Sequence, residues 1–198
     1  MQEKSLKFRA LNADEIDVRV AQVGNGWVQL LLYKDARVDM SILDETVGPE
    51  NWQREHYECK GNLFCRVGIA QELIQNDGTI SKEWIWKSDC GAESNTEKEK
   101  GEASDSFKRA CTNWGIGREL YTKIPIFVNI ETQQNGNGYK LKSKEYWTVK
   151  EIETINNKIV YLEIADKKGN VVFTHGNKNL SEKKSETFEE IKYKRVKR

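Results

Sequence analysis

The sequence predicts an α+β fold, with an antiparallel β-meander leading into a helix in β-β-β-α order and a small second β-meander near the C-terminus. Three observations carry this. Strand-like stretches separated by short turn signals crowd residues 52–87. One long helical pattern follows, with Ala103, Phe107, Ala110, Cys111 and Trp114 recurring on a single stripe. A last set of short apolar runs, Tyr146 to Thr154, Ile159 to Ile164 and Val171 to Phe173, is turned by Asn156-Asn157 and Lys168-Gly169-Asn170.

The elements follow in order. Asn12 to Val23 is expected to be a short helix, capped by Asn12, with Ile16, Val20 and Val23 on one face. After a Gly-Asn-Gly turn, Trp27 to Tyr33 is dense in apolar and aromatic residues, as a buried strand is. Asp35 to Thr46 returns to helical spacing through Val38, Ile42 and Thr46, and Gly48-Pro49 closes it. Trp52 to Cys59 and Leu63 to Leu73 read as strands joined by Lys60-Gly61-Asn62. Alternation puts Leu63, Cys65, Val67 and Ile69 on one face, with Phe64, Arg66 and Gly68 on the other. Asn76-Asp77-Gly78 then turns the chain into Glu83 to Lys87, where Trp84 and Trp86 share a face.

The long helix is expected to begin near Ser94. Ser94 with Glu97, and Thr96 with Glu99, both fit a capping box, and Gly115 supplies the stop. A short strand containing Pro125 follows, and Asn135-Gly136-Asn137-Gly138 marks a break. Residues 1–134 are therefore expected to form the main domain, 139–176 a small C-terminal meander and 177–198 a Lys-rich tail.

Composition narrows the function classes. The chain has 198 residues, enough for one well-buried domain, and its net charge is only +1 although 32% of it is charged. Nucleic-acid binding must then come from local clustering of Lys and Arg. Cys59, Cys65, Cys90 and Cys111 form no CxxC pair, and His56 and His175 lie far apart, so neither zinc nor any other metal is expected. The N-terminal MQEKSLKFRA lacks an apolar segment and no run approaches spanning length, which predicts a cytoplasmic protein with reduced thiols and no membrane partner. No GxxxxGK[ST] loop occurs, so no nucleotide cofactor is expected. Glu190 and Lys192 make a Glu-x-Lys pair without a partner acid on a strand, and no catalytic residues are assigned. His56 and His175 read as ordinary polar positions.

The candidate binding residues lie on the long helix. A helical wheel puts Lys108 and Arg109 on either flank of its polar face, away from Phe107, Ala110 and Trp114. Both suit phosphate, Arg as a fork and Lys as a point charge. Asp105, three and four residues earlier, could instead pair with both.

The run Ser104-Asp105-Ser106-Phe107-Lys108-Arg109-Ala110, with Trp114-Gly115 after it, resembles the signature helix of the Rad-fifty-two superfamily of single-strand annealing proteins. Lys87-Ser88-Asp89-Cys90-Gly91-Ala92-Glu93-Ser94-Asn95 and Gly115-Ile116-Gly117-Arg118-Glu119-Leu120-Tyr121 resemble its phage branch, the Sak type. Upstream, Tyr33, Arg37-Val38 and Asn51-Trp52 keep the family's spacing, and the resemblance covers Leu11 to Phe127.

The resemblance implies a curved antiparallel sheet on a helix, assembled with copies of itself into a ring or filament around single-stranded DNA. It places Lys108, Arg109 and Arg37 in a basic groove, while a further basic position one turn on is Thr112 here. Arg54, Arg66 and Lys87, from the strands, are added as candidate replacements on our own reading. Trp84 and Trp86 are either base-stacking residues or, as the aromatic-rich strand favours, a buried face covering the helix stripe. The implied activity is ATP-independent annealing in recombination and repair, within a bacterial host, with a phage exonuclease or host single-strand-binding protein as further partners. End protection without annealing, and metal-dependent cleavage, are the alternatives.

Overall fold

The structure is a computed structural model that describes residues 6–75, 78–92 and 98–178. Its strands in chain order are β1 (Asp17–Gly24), β2 (Trp27–Tyr33), β3 (Trp52–Cys59), β4 (Asn62–Ile74), β5 (Ile80–Cys90), β6 (Ile126–Asn129), β7 (Thr132–Asn135), β8 (Gly138–Leu141), β9 (Trp147–Ile155), β10 (Lys158–Asp166) and β11 (Val171–Gly176). Two α-helices accompany them among the described residues, α1 (Ala36–Val47) and α2 (Lys98–Trp114). Neither is long and apolar enough to cross a membrane. The class is the expected one, α+β with antiparallel strands and a meander packed on a helix.

The chain divides into two compact units. The first holds residues up to Ala10 and Asp35–Gly117, and the second Leu11–Lys34 and the chain from Arg118 onward. The expected boundary near residue 134 is therefore not where the units separate.

In the first unit, β3-β4-β5 form an antiparallel meander and α2 crosses one of its faces. Alternation assigns the faces as expected. Cys65, Val67 and Ile69 are fully buried, against Phe107, Ala110 and Cys111 of α2. The side-chain oxygen of Asp35 accepts from the Arg37 amide and so caps α1, and Gly48 ends it at φ +85°. Lys60 and Gly61, both at positive φ, make the tight β3–β4 turn. Gly91 has a different reason. A Cβ there would stand 2.2 Å from the Glu102 carbonyl oxygen, so only glycine lets the end of β5 pass this close to α2. The Asn76-Asp77 part of the second turn, and both proposed capping boxes, involve positions outside the described residues.

The second unit is a curved, nearly barrel-like sheet in the order β11-β10-β9-β1-β2-β6, with β7–β8 as a separate hairpin. Two expectations are corrected here. Residues 12–23 are not a helix. Only Ala13–Glu15 form a 3-10 turn, and Asp17–Gly24 is a strand paired with β2. The register shifts between Val20 and Gln22, and this bulge breaks the period of two, leaving the apolar residues at spacings that resemble a helix. The expected break at Asn135–Gly138 is instead the turn of the β7–β8 hairpin. The last meander also does not stand alone, since β9 pairs with β1 in the same sheet as β2 and β6.

Candidate nucleic-acid interface

The face of β3 that looks toward α2 carries Trp52, Arg54 and His56 at alternate positions. Trp52 fixes the local frame. Its indole donates to Asp44 of α1 at 2.6 Å, and its ring stacks on Phe107 of α2 at 6.2 Å. Arg54 lies with its guanidinium 4.7 Å above the Phe107 ring. This contact holds the planar cation at the rim of the core while leaving its edge for an anion. His56 Nε2 donates to the Ala103 carbonyl at 3.0 Å, which fixes the ring against α2.

Arg54 and His56 line an open groove of about 280 Å³ with Asp35, Arg37 and Met40 of α1 and its cap, and with Lys100, Ala103 and Ser104 of α2. Arg37 is 89% exposed, its Nε 3.9 Å from Asp35. At that distance and exposure the pair is weak, and the guanidinium remains able to swing to a phosphate. Three elements thus deliver two arginines, a lysine and a histidine to one concavity. Lys108 lies one turn beyond Ser104, and Lys100 one turn before it, on the same flank of α2. The groove is extended along the helix by that i, i+4 series.

The six residues named from the sequence do not converge. Arg37 and Arg54 line the groove, and Lys108 continues its flank. Arg109 faces the other way, its Nε 3.5 Å from Asp89 of β5. Lys87 lies on the helix side of the sheet, but its ammonium sits 4.4 Å over the Trp114 ring and donates to the Asn113 carbonyl, so it binds the end of α2. Arg66 projects from the opposite face, paired with Glu55 at 2.6 Å and stacked 4.5 Å over Trp86. Asp105, expected to compete for Lys108 and Arg109, accepts instead from the Ala92 amide. Thr112 bonds back to the Lys108 carbonyl.

Trp84 and Trp86 do not cover the helix stripe. Both share the face of Arg66, away from α2, so the reading of a buried face beneath the helix is corrected. Strand parity paired them correctly, but parity alone does not say which face the helix takes. Two groove residues went unrecognised in the sequence, His56 and Lys100. His56 shares its strand parity with Arg54, and Lys100 precedes Lys108 by two helical turns. Those were the available signals.

Beneath the groove, burial pushes the Cys65 thiol up to about 11, an effect that nearby Arg54 only partly offsets. This thiol is part of the packing and stays protonated at neutral pH.

A family model described as the Rad52/22 family double-strand break repair protein matches residues 4–139. The chain belongs to this family. Its members work in DNA repair and recombination, bind and anneal single strands, and oligomerise. No curated protein sequence matches the chain. The Rad52/22 match takes in the whole described first unit, including every groove residue, while β9, β10 and β11 lie beyond it. Those three strands nevertheless complete the sheet that holds β1, β2 and β6.

Proposed function

We propose that this chain grips the backbone of single-stranded DNA in the groove between α1, β3 and α2 and anneals complementary strands without nucleotide or metal. The observation that carries the proposal is the convergence of Arg37, Arg54, His56 and Lys100, with Lys108 alongside, in a protein of near-zero net charge. Annealing requires phosphates to be held while base edges stay free to test a partner. A groove in which Arg54 is held over the Phe107 ring and His56 against the Ala103 carbonyl suits that task without reading sequence.

A single groove with so few cations would hold a strand weakly in salt. Repeating it in a homo-oligomer, a ring or a filament, joins the sites and raises the effective concentration at each neighbour. The residues around Asp89-Cys90-Gly91 and Gly115-Ile116-Gly117 favour the phage Sak branch, and with it a bacterial host cytoplasm and a phage exonuclease or host single-strand-binding protein as partners. The decisive assay is the pairing of complementary oligonucleotides in EDTA without nucleotide. Undiminished acceleration is expected. A strict need for ATP or magnesium would overturn the proposal, and tight binding without acceleration would leave end protection as the function.

A further inference from the structure

We infer that His56 is a proton-gated phosphate contact, so that the groove grips single-stranded DNA more tightly as pH falls and takes up a proton when it does so. This rests on the reading above that the groove holds the DNA backbone, and it names a switchable charge within that site. The hydrogen bond to α2 sets the logic. A carbonyl oxygen only accepts, so the Ala103 carbonyl, 3.0 Å from Nε2, fixes the neutral ring with its one proton on Nε2. That carbonyl also accepts from the Ser106 hydroxyl at 3.0 Å. Nδ1 is the nitrogen left over, and among the described residues it has no hydrogen-bond partner. In the neutral ring Nδ1 offers a lone pair, which a phosphate oxygen repels. In the charged ring it becomes a donor, while Nε2 keeps its bond to Ala103. The proton therefore adds a contact without moving the side chain.

The surroundings say what the ring responds to. His56 is exposed and lines the groove beside its cations. Arg54 and Glu58 flank it at alternate positions of β3, and the buried Cys65 thiol is its cross-strand partner on β4. From α2 come Lys100 and Glu102, whose carboxylate accepts from the Leu63 amide, and from α1 and its cap Arg37 and Asp35. A phosphate seated among Arg37, Arg54 and Lys100 brings a negative charge against the ring and favours the imidazolium. By linkage, the imidazolium favours the phosphate to the same degree. Histidine is the side chain whose charge changes between about pH 5 and 8, and this chain has two. His175 lies on β11 in the second unit, outside the groove. An arginine at position 56 would be charged throughout, whereas a histidine ties part of the grip to a proton.

The test is fluorescence anisotropy of a labelled oligothymidylate with the full chain at about pH 5.5 and pH 8, each at several salt concentrations. The unaltered chain should bind about three- to fivefold more tightly at the lower pH for each groove occupied, as one exposed ionic contact contributes. Its salt slope should steepen there by about 0.7, one further phosphate contact. His175→Gln should keep both changes. His56→Gln should lose both and bind equally at the two pH values. His56→Lys, charged throughout, should show the steeper slope at both, and it decides the matter even where circular dichroism finds His56→Gln unfolded. A pH response that survives in either His56 variant would overturn the inference. An unaltered chain whose affinity ignores pH, while Arg37→Ala with Arg54→Ala weakens binding at both values, would sink the inference alone. Full affinity of that double variant at both values would sink the groove reading and this inference together.

Discussion

The three strands of the first unit present two unlike faces. Under α2, Cys65, Val67 and Ile69 form a dry core, and the flanking β3 positions Arg54 and His56 open into a cationic groove. On the other side, Tyr57, Phe64, Trp84 and Trp86 lie around Arg66, which is paired with Glu55. A period of two is enough to build both from one meander, since neighbouring residues on a strand serve opposite faces. The difference teaches how to read a near-neutral chain. Whole-chain charge is silent about function when some cations line a groove on one face while another, Arg66, is paired on the other face with its cross-strand partner Glu55.

The largest effect should come from removing what holds the groove face together. Phe107 is fully buried, stacks with Trp52 and supports Arg54. Phe107→Ala should cost about 3–5 kcal/mol and lower the thermal midpoint sharply. Gly91→Ala should cost about 1–3 kcal/mol, because the new methyl group meets backbone rather than a movable side chain. Destabilisation by Gly91→Ala as small as that of an exposed turn glycine would show that the end of β5 is not pinned to α2.

Next is DNA binding, where the faces should separate cleanly. Arg37→Ala with Arg54→Ala should weaken single-strand affinity across all sequences and flatten the salt dependence by about 0.7 per lost phosphate contact. Arg66→Ala, on the aromatic face, should leave the salt slope unchanged. Lys108→Ala should resemble the groove variants, and Arg109→Ala, already paired with Asp89, should do less. Equal losses from Arg66 and from the groove pair, measured by fluorescence anisotropy at several salt concentrations, would break the comparison.

Much of this was legible in the sequence. The alternation in β4 and the stripe on α2 are strong because each spans many residues and one side of each is fully buried. The fold of the first unit followed from them. The misread β1 shows the limit, since a single bulge at Ala21 turns a strand pattern into a helical one. The site was less legible than the fold. Lys108 and Arg109 are neighbours in sequence, yet 100° of helical rotation sends them to opposite flanks. His56 was invisible as a site residue because its meaning depends on Ala103, 47 positions away. Lys87 and Arg66 carry the right charge for a groove and are held elsewhere by Trp114 and Trp86.

A smaller but sharp effect is expected in alkali. Cys65 has its pKa raised by burial from 9.0 to about 11. The unfolded chain ionises this thiol first, so the contribution of Cys65 to stability is intact below pH 9 and is lost as pH rises through about 11. Denaturant titrations should show the midpoint falling across that window, and Cys65→Ala should flatten the fall. A variant that retained the full slope would assign it to other groups.

The four thiols offer the finest test of the two faces, because they divide between them. Cys65 and Cys111 are fully buried beneath α2, while Cys59 is exposed and Cys90 half-buried on the aromatic side. A thiol must be both reachable and ionised to react. At pH 8 only about one in a thousand Cys65 groups is a thiolate, given a pKa near 11, and both Cys65 and Cys111 are closed to solvent. Two thiols should therefore react with an aromatic disulfide reagent in the native protein, Cys59 first, and two only on unfolding. Cys90 should be slower than Cys59, since it is less exposed and its Sγ lies 3.3 Å from the Gly91 carbonyl. Cys65 and Cys111 are enclosed between the sheet and α2, so labelling of either in the native protein as fast as that of Cys59 would show that this core is open.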